Sequence, residues 1–294
     1  MPFATSQIRG PCDAFPGMVS GKKPVTPDFD GVEIHYEPHG TGQVPLMFLH
    51  GWGGNCRTWD PILPKLDAAQ FRSICVDLRG HGQSGQPAVG YTWTDFTQDV
   101  LAVADRERLS RFVPVGFSMG GKLACHLAAL HPERIPAQVL VSSAGPGLVP
   151  IEREAGLQIC RAANDRNKNK LFFGNWFGPR AAKAVVDAYC DTIAATPVDV
   201  LMATAEMTLW TSIERVVGNL PLPTLLVMGR SDPVYGEAYQ RASVLPYLAN
   251  AQTASVASGH FIPLECPAIL AKLLNEHVPT MIPGSARCGD GMHR

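Results

Sequence analysis

The feature that most limits what this chain can become is a rhythm of short apolar runs alternating with longer amphipathic stretches. The runs occupy residues 32–36, 46–50, 73–77, 112–117, 138–142, 224–229 and 252–257, each of strand length. Apolar residues at helical spacing fill 93–108, 119–130, 237–245 and 267–277. Parallel strands need a helical crossover between them and are buried on both faces, so they read as continuous apolar runs. The pattern therefore predicts an α/β fold: a mostly parallel central sheet with helices on both faces.

One stretch breaks the rhythm. From 145 to 218 there is no strand pattern, only helical ones interrupted at 174–179 and 196–197. That reads as a helical lid inserted into a core made of 29–144 and 219–280. The lid carries Phe172, Phe173, Trp176, Phe177 and Trp210. These aromatics either pack the lid internally or face a substrate, and the cluster at 172–177 is denser than packing alone needs. Phe172, Phe173, Trp176 and Trp210 are therefore candidate substrate contacts. Residues 1–28, rich in Pro, Gly and Lys without a period, read as a flexible arm, and 281–294 as a tail.

Charge and cysteine usage narrow the function classes. A net charge of -1 gives no footprint for nucleic acid or an anionic membrane surface. No apolar run is long enough to span a bilayer, and the first ten residues lack the layout of a secretory signal. The expectation is a cytoplasmic protein acting on a small molecule, with no membrane or nucleic-acid partner. Nothing in the chain bears on its oligomeric state. Eight scattered cysteines form no Cys-x-x-Cys pair and no zinc spacing, so neither a metal nor a cofactor is expected. They read as small buried hydrophobes, and disulfides would need an oxidising compartment that no feature calls for.

Chemistry enters at Gly116-Phe117-Ser118-Met119-Gly120, between an apolar run and a helical pattern. A lone G-x-S-x-G is a weak signal. At a strand-to-helix turn it is a specific one, because flanking glycines let the backbone close tightly and leave the serine exposed. Pro114 is discordant there, since it cannot donate to a sheet ladder.

A serine hydroxyl needs a base to take its proton. His50, His81, His126 and His131 lie on elements with other uses. His260, in a loop after one apolar run and before a helix, sits where a base belongs. The base in turn needs an acid to fix its tautomer. Asp232 follows the run 224–229 and gives the order serine, acid, base; Asp77, the competitor, reads with Arg79 and His81 as a turn-stabilising group. Acyl transfer also needs backbone N–H groups aimed at the developing oxyanion. Met119, next to the serine, supplies one. Trp52, in His50-Gly51-Trp52-Gly53-Gly54, is the natural second and a substrate contact as well.

With 77–84 and 259–260, these motifs resemble the α/β-hydrolase superfamily in type, order and spacing over about residues 30 to 278. The elbow and the stretch 83–91 are similar to the cofactor-free haloperoxidase, perhydrolase and arylesterase branch. The residues after His260 look instead like general esterases and enol-lactonases. Gly53 stands where the former branch usually has proline. The resemblance implies an eight-stranded sheet with a lid, and metal-free hydrolysis of an ester or lactone through an acyl-enzyme. The alternatives are a carbon–carbon bond hydrolase or perhydrolase on the same triad, or a ligand-binding receptor of the same fold.

Overall fold

The computed structural model describes residues 30–282. Seven strands form one sheet: β1 (Tyr36–His39), β2 (Val44–Leu49), β3 (Phe71–Val76), β4 (Val113–Phe117), β5 (Gln138–Val141), β6 (Leu220–Gly229) and β7 (Leu248–Val256). Their order across the sheet is β1-β3-β2-β4-β5-β6-β7. All neighbours run parallel except β1, which is antiparallel to β3.

Burial on both faces follows the strand period of two. On β2, Leu46 and Phe48 join Val113, Val115 and Val139 on one face, while Met47 and Leu49 join Leu140 and Leu226 on the other. Helices cover both faces. The sequence elements α1 (Trp93–Arg106) and α2 (Met119–Leu130) pack on the second face. Between β5 and β6 lie α3 (Arg153–Ala163), α4 (Arg166–Phe173), α5 (Lys183–Ala195), α6 (Val198–Trp210) and α7 (Glu214–Val217). The last three helices are α8 (Glu237–Ser243), α9 (Ile262–Glu265) and α10 (Pro267–Met281), and α10 packs on the first face. At the start of α1, the Thr92 hydroxyl accepts the Asp95 N–H while Asp95 accepts the Thr92 N–H, a reciprocal cap.

Three expectations need correction. The sheet has seven strands among the described residues, not eight. The run at 32–36 contributes only its last residue to β1. Val32, Ile34 and Tyr36 do point inward, but the backbone at Glu33 and His35 is taken by the loop after β3: Gly85 N–H donates to Glu33 O and Asp77 N–H to His35 O. The final helix continues past 277 to Met281. Pro114 finds its place because β5 pairs with β4 only from Val115 onward, one residue beyond it. The arm at 1–28, and the tail from 283, lie outside the described residues.

Five of the six described cysteines are buried and none is paired; Cys12 and Cys288 lie outside. No helix among the described residues is long and apolar enough to cross a membrane.

The excursion between β5 and β6 is fastened at its roots by one buried cation. Lys122, on α2, donates from Nζ to Gly147 O (2.8 Å) and Thr208 O (3.0 Å). Burial pushes its ammonium down to about 7, partly offset by Glu214.

Candidate active site

β4 delivers the serine. The strand ends at Phe117 and α2 starts at Met119, so Ser118 makes the turn alone, at φ 55° and ψ -114°. A side chain at positive φ persists only where its surroundings over-determine it. Here Ser118 N–H donates to Val141 O, and Gly121 and Ala144 N–H groups donate to Ser118 O, each at 3.0 Å. The turn also demands bare backbone beside it. A Cβ at Gly116 would lie 2.2 Å from Gly120 O, and one at Gly120 would lie 2.2 Å from Leu49 O.

Two other strand ends meet the serine. His260, after β7, places Nε2 3.2 Å from Ser118 Oγ and Nδ1 2.9 Å from Asp232 Oδ2. All three side chains are buried. A carboxylate can only accept, so in the neutral imidazole Nδ1 carries the proton and the lone pair of Nε2 faces the hydroxyl. The other Asp232 oxygen accepts the N–H groups of Val234 (2.8 Å) and Tyr235 (3.0 Å). Burial pushes the Asp232 carboxyl up, but His260 and those N–H groups outweigh it and hold it below the ordinary carboxylate range.

The loop 50–54 lies against the elbow: a Cβ on Gly51 would come 3.1 Å from Ser118 Cβ. Two buried histidines shape this loop. His50 Nε2 accepts the Leu78 N–H (3.0 Å), and His81 Nε2 lies 3.4 Å from the Gly53 nitrogen. Burial lowers the pKa of both, that of His81 to about 3, so both rings are neutral and can accept there. Gly53 has φ 68°, which explains why no proline stands there: proline is locked near -65°. Trp52 is held from the excursion, its indole N–H donating to Leu201 O (2.9 Å) and its carbonyl accepting from Tyr189 Oη (3.1 Å). The backbone N–H groups of Trp52 and Met119 donate to no acceptor among the described residues.

Ser118 and His260 open onto a cavity of about 370 Å³ whose lining contains no Asp, Glu, Lys or Arg. Of the candidate substrate contacts, Trp52, Phe172 and Trp176 line it. Phe173 and Trp210 do not. Phe173 is fully buried behind Trp176, ring centroids 4.7 Å apart. Trp210 stands behind Gly156, its N–H donating to Ile151 O (3.1 Å) and Arg153 lying over its ring. The structure adds wall residues that carried no sequence signal, including Ile151, Leu209 and Tyr239. Tyr235 could have been found, since it follows Asp232 by three residues. Its ring stands edge-on to that of His260.

Elsewhere, His35, Glu37 and Cys56 bring metal-ligand atom types within 4.8 Å of one another. Glu37 is already paired with Arg57 there, and burial with nearby Asp77 and Glu37 pushes the Cys56 thiol up.

Residues 44–155 match the family model described as alpha/beta hydrolase fold. The pimeloyl-[acyl-carrier protein] methyl ester esterase of Klebsiella pneumoniae (strain 342) is 31% identical over 215 residues, 68% of this chain and 80% of that protein. The chain belongs to the α/β-hydrolase superfamily. A protein of Mycobacterium phage D29 that bears the name "Putative non-heme haloperoxidase" is similar over less of its length: 36% identity across 39% of this α/β-hydrolase and 41% of the phage protein. Among solved structures, Est816, titled as an N-acyl homoserine lactone degrading enzyme, superimposes with a TM-score of 0.73. It is 30% identical and covers 87% of this chain and all of its own.

Proposed function

We propose that this α/β-hydrolase cleaves a carboxylic ester or lactone through an acyl-enzyme on Ser118. The observation that carries the reading is the hydrogen-bonded series Asp232–His260–Ser118 opening onto an apolar cavity. As Ser118 Oγ attacks the carbonyl carbon, His260 Nε2 takes its proton and Asp232 steadies the imidazolium. The carbonyl π electrons move to oxygen, where the N–H groups of Trp52 and Met119 receive the charge. A lost donor of this kind costs about 3 kcal/mol of transition-state stabilisation. The tetrahedral species collapses, the C–O bond to the leaving group breaks, and the imidazolium returns its proton to that oxygen. Water, deprotonated by the same histidine, then releases the acid and restores Ser118.

The helices at 145–218 serve as a lid over this site. A cavity wall without formal charge suits a neutral, mainly apolar substrate of small to medium size. Two relatives are named for cleaving a methyl ester and for degrading a lactone, which supports this bond class.

The test is a panel of p-nitrophenyl esters of rising acyl length, together with simple lactones. Turnover should favour uncharged acyl groups and vanish in Ser118→Ala. A fluorophosphonate adduct mapped to Ser118 by mass spectrometry is the positive counterpart. A folded Ser118→Ala protein that keeps its turnover would overturn the reading.

A further inference from the structure

The loop that carries His260 is tied to the helical excursion by a side chain with no part in the steps above. Glu265 closes α9, five residues after His260. Its Oε1 accepts the Phe261 N–H (3.1 Å), and its Oε2 accepts the Gly259 N–H (3.1 Å) and the Gly178 N–H (2.7 Å). Gly259 and Phe261 flank the histidine in sequence. Gly178 belongs to the excursion, two residues after the cavity-lining Trp176. The N–H of His260 itself donates to Trp176 O at 2.7 Å. Every peptide N–H from 259 to 261 therefore ends on Glu265 or on the excursion.

Only a carboxylate meets this demand. It offers two oxygens and no donor, and its bonds to N–H groups are charge-assisted. An amide of the same shape would turn an NH2 group toward one of the N–H donors. Contact between the two segments is also close enough to exclude side chains. A Cβ on Gly259 would meet Gly178 N at 2.3 Å. The imidazole face completes the seam, with Trp176 standing edge-on to His260 at 5.8 Å.

We infer that Glu265 is a positioning residue for His260, and that it makes the placement of the base conditional on the excursion being seated at Gly178. This rests on the reading of His260 as the base. Misplacing a base by about 1 Å can cost on the order of a hundredfold in rate, and the loop has no other carboxylate bridging it to the excursion among the described residues.

The experiment uses the full chain with Glu265→Gln and Glu265→Asp, with Ser118→Ala and His260→Ala alongside. The measurements are kcat and KM on a short and a bulky aryl ester, thermal melting, and amide hydrogen exchange over 176–181 and 257–262. The expected result for Glu265→Gln is a roughly 10- to 100-fold loss of kcat on both esters with KM little changed. Exchange should rise in both segments together. Glu265→Asp keeps the charge on a shorter arm, should recover part of kcat, and serves as the test if the glutamine variant does not fold. A lower melting temperature with wild-type kcat, or faster exchange in one segment alone, would overturn the coupling. If Ser118→Ala or His260→Ala retains turnover, the reading of the base falls and this inference with it. If only the Glu265 variants retain it, the inference alone falls.

Discussion

Two aspartate–histidine pairs of nearly equal length lie in this molecule. Asp232 meets His260 at 2.9 Å and Asp77 meets His35 at 3.0 Å, and each aspartate stands just past a parallel strand. Their difference begins at the far nitrogen. His260 Nε2 faces the hydroxyl of a strained serine beside a cavity, whereas His35 Nε2 faces the side-chain amide of Gln83 at 3.3 Å. The aspartates differ as well. Asp77 spends its oxygens on Cys56 N–H (2.7 Å) and Gln83 N–H (2.8 Å), closing the loop after β3. A paired carboxylate and imidazole is thus a common structural clip. On the proposed function it acquires chemistry only where the backbone forces a nucleophile onto its free end.

The largest effect that would break this contrast is at the serine. Ser118→Ala should fold normally and lose at least about a thousandfold in kcat, roughly 4 kcal/mol. Turnover on a chromogenic ester at a tenth of the parent rate would end the distinction between the pairs.

The matched aspartate substitutions come next. Asp232→Asn should lose at least about a hundredfold in kcat, because the amide no longer fixes the histidine tautomer. Asp77→Asn should stay within about tenfold of the parent kcat while its melting temperature drops. Equal losses of kcat in two folded variants would show that the clips are not distinct.

A smaller effect sharpens the role of the wall. Trp176→Ala should lose about 1–3 kcal/mol in kcat/KM on bulky esters and leave the shortest ones nearly unchanged. A uniform loss with a lower melting temperature would make Trp176 a packing residue only.

The smallest effect separates the clips by acid. Burial pushes the Asp77 carboxyl up, but His35 and the N–H groups of Gln83 and Cys56 carry it down to about 2. Its stabilisation is whole above the ordinary carboxylate value near ~4 and is lost as pH falls from there through the folded value, about 2 kcal/mol in all. Buried His81 and His126 are depressed to about 3 and about 4. For them the unfolded chain takes up protons first, so stability already declines below about pH 6.5. Melting curves from pH 7 to 3 should fall throughout, and the Asp77→Asn curve should be the shallower one below about pH 4. A flat parent curve from pH 7 to 4 would contradict the burial of these groups.

Much of the frame was legible because parallel strands bury both faces and so announce themselves as apolar runs. Six of the seven runs coincide with strands, and the slip at 32–36 arose because an alternating pattern reports burial, not which backbone will answer it. Ser118, Asp232 and His260 could be picked out because each stands at a strand end. The wall could not be read this way. Phe172 lines the cavity and Phe173 does not, since one helical step swings a side chain by about 100°. Glu265 was equally silent. Its meaning depends on Gly178, 87 residues away in the chain.

The excursion leaves after β5 and returns into β6, and those two strands are neighbours joined in register from Gln138↔Thr224 to Val141↔Val227. Replacing the whole excursion would therefore reorder no strand and break no ladder. One ammonium, that of Lys122, grips a carbonyl at each end of it. A transplanted set of helices would have to bring two carbonyl oxygens back to that ammonium, an N–H to Glu265, acceptors to the His260 N–H and the Trp52 indole, and a donor to the Trp52 carbonyl. Under the proposed function, the cavity wall could then be exchanged as a cassette while Ser118, Asp232 and His260 stay where they are.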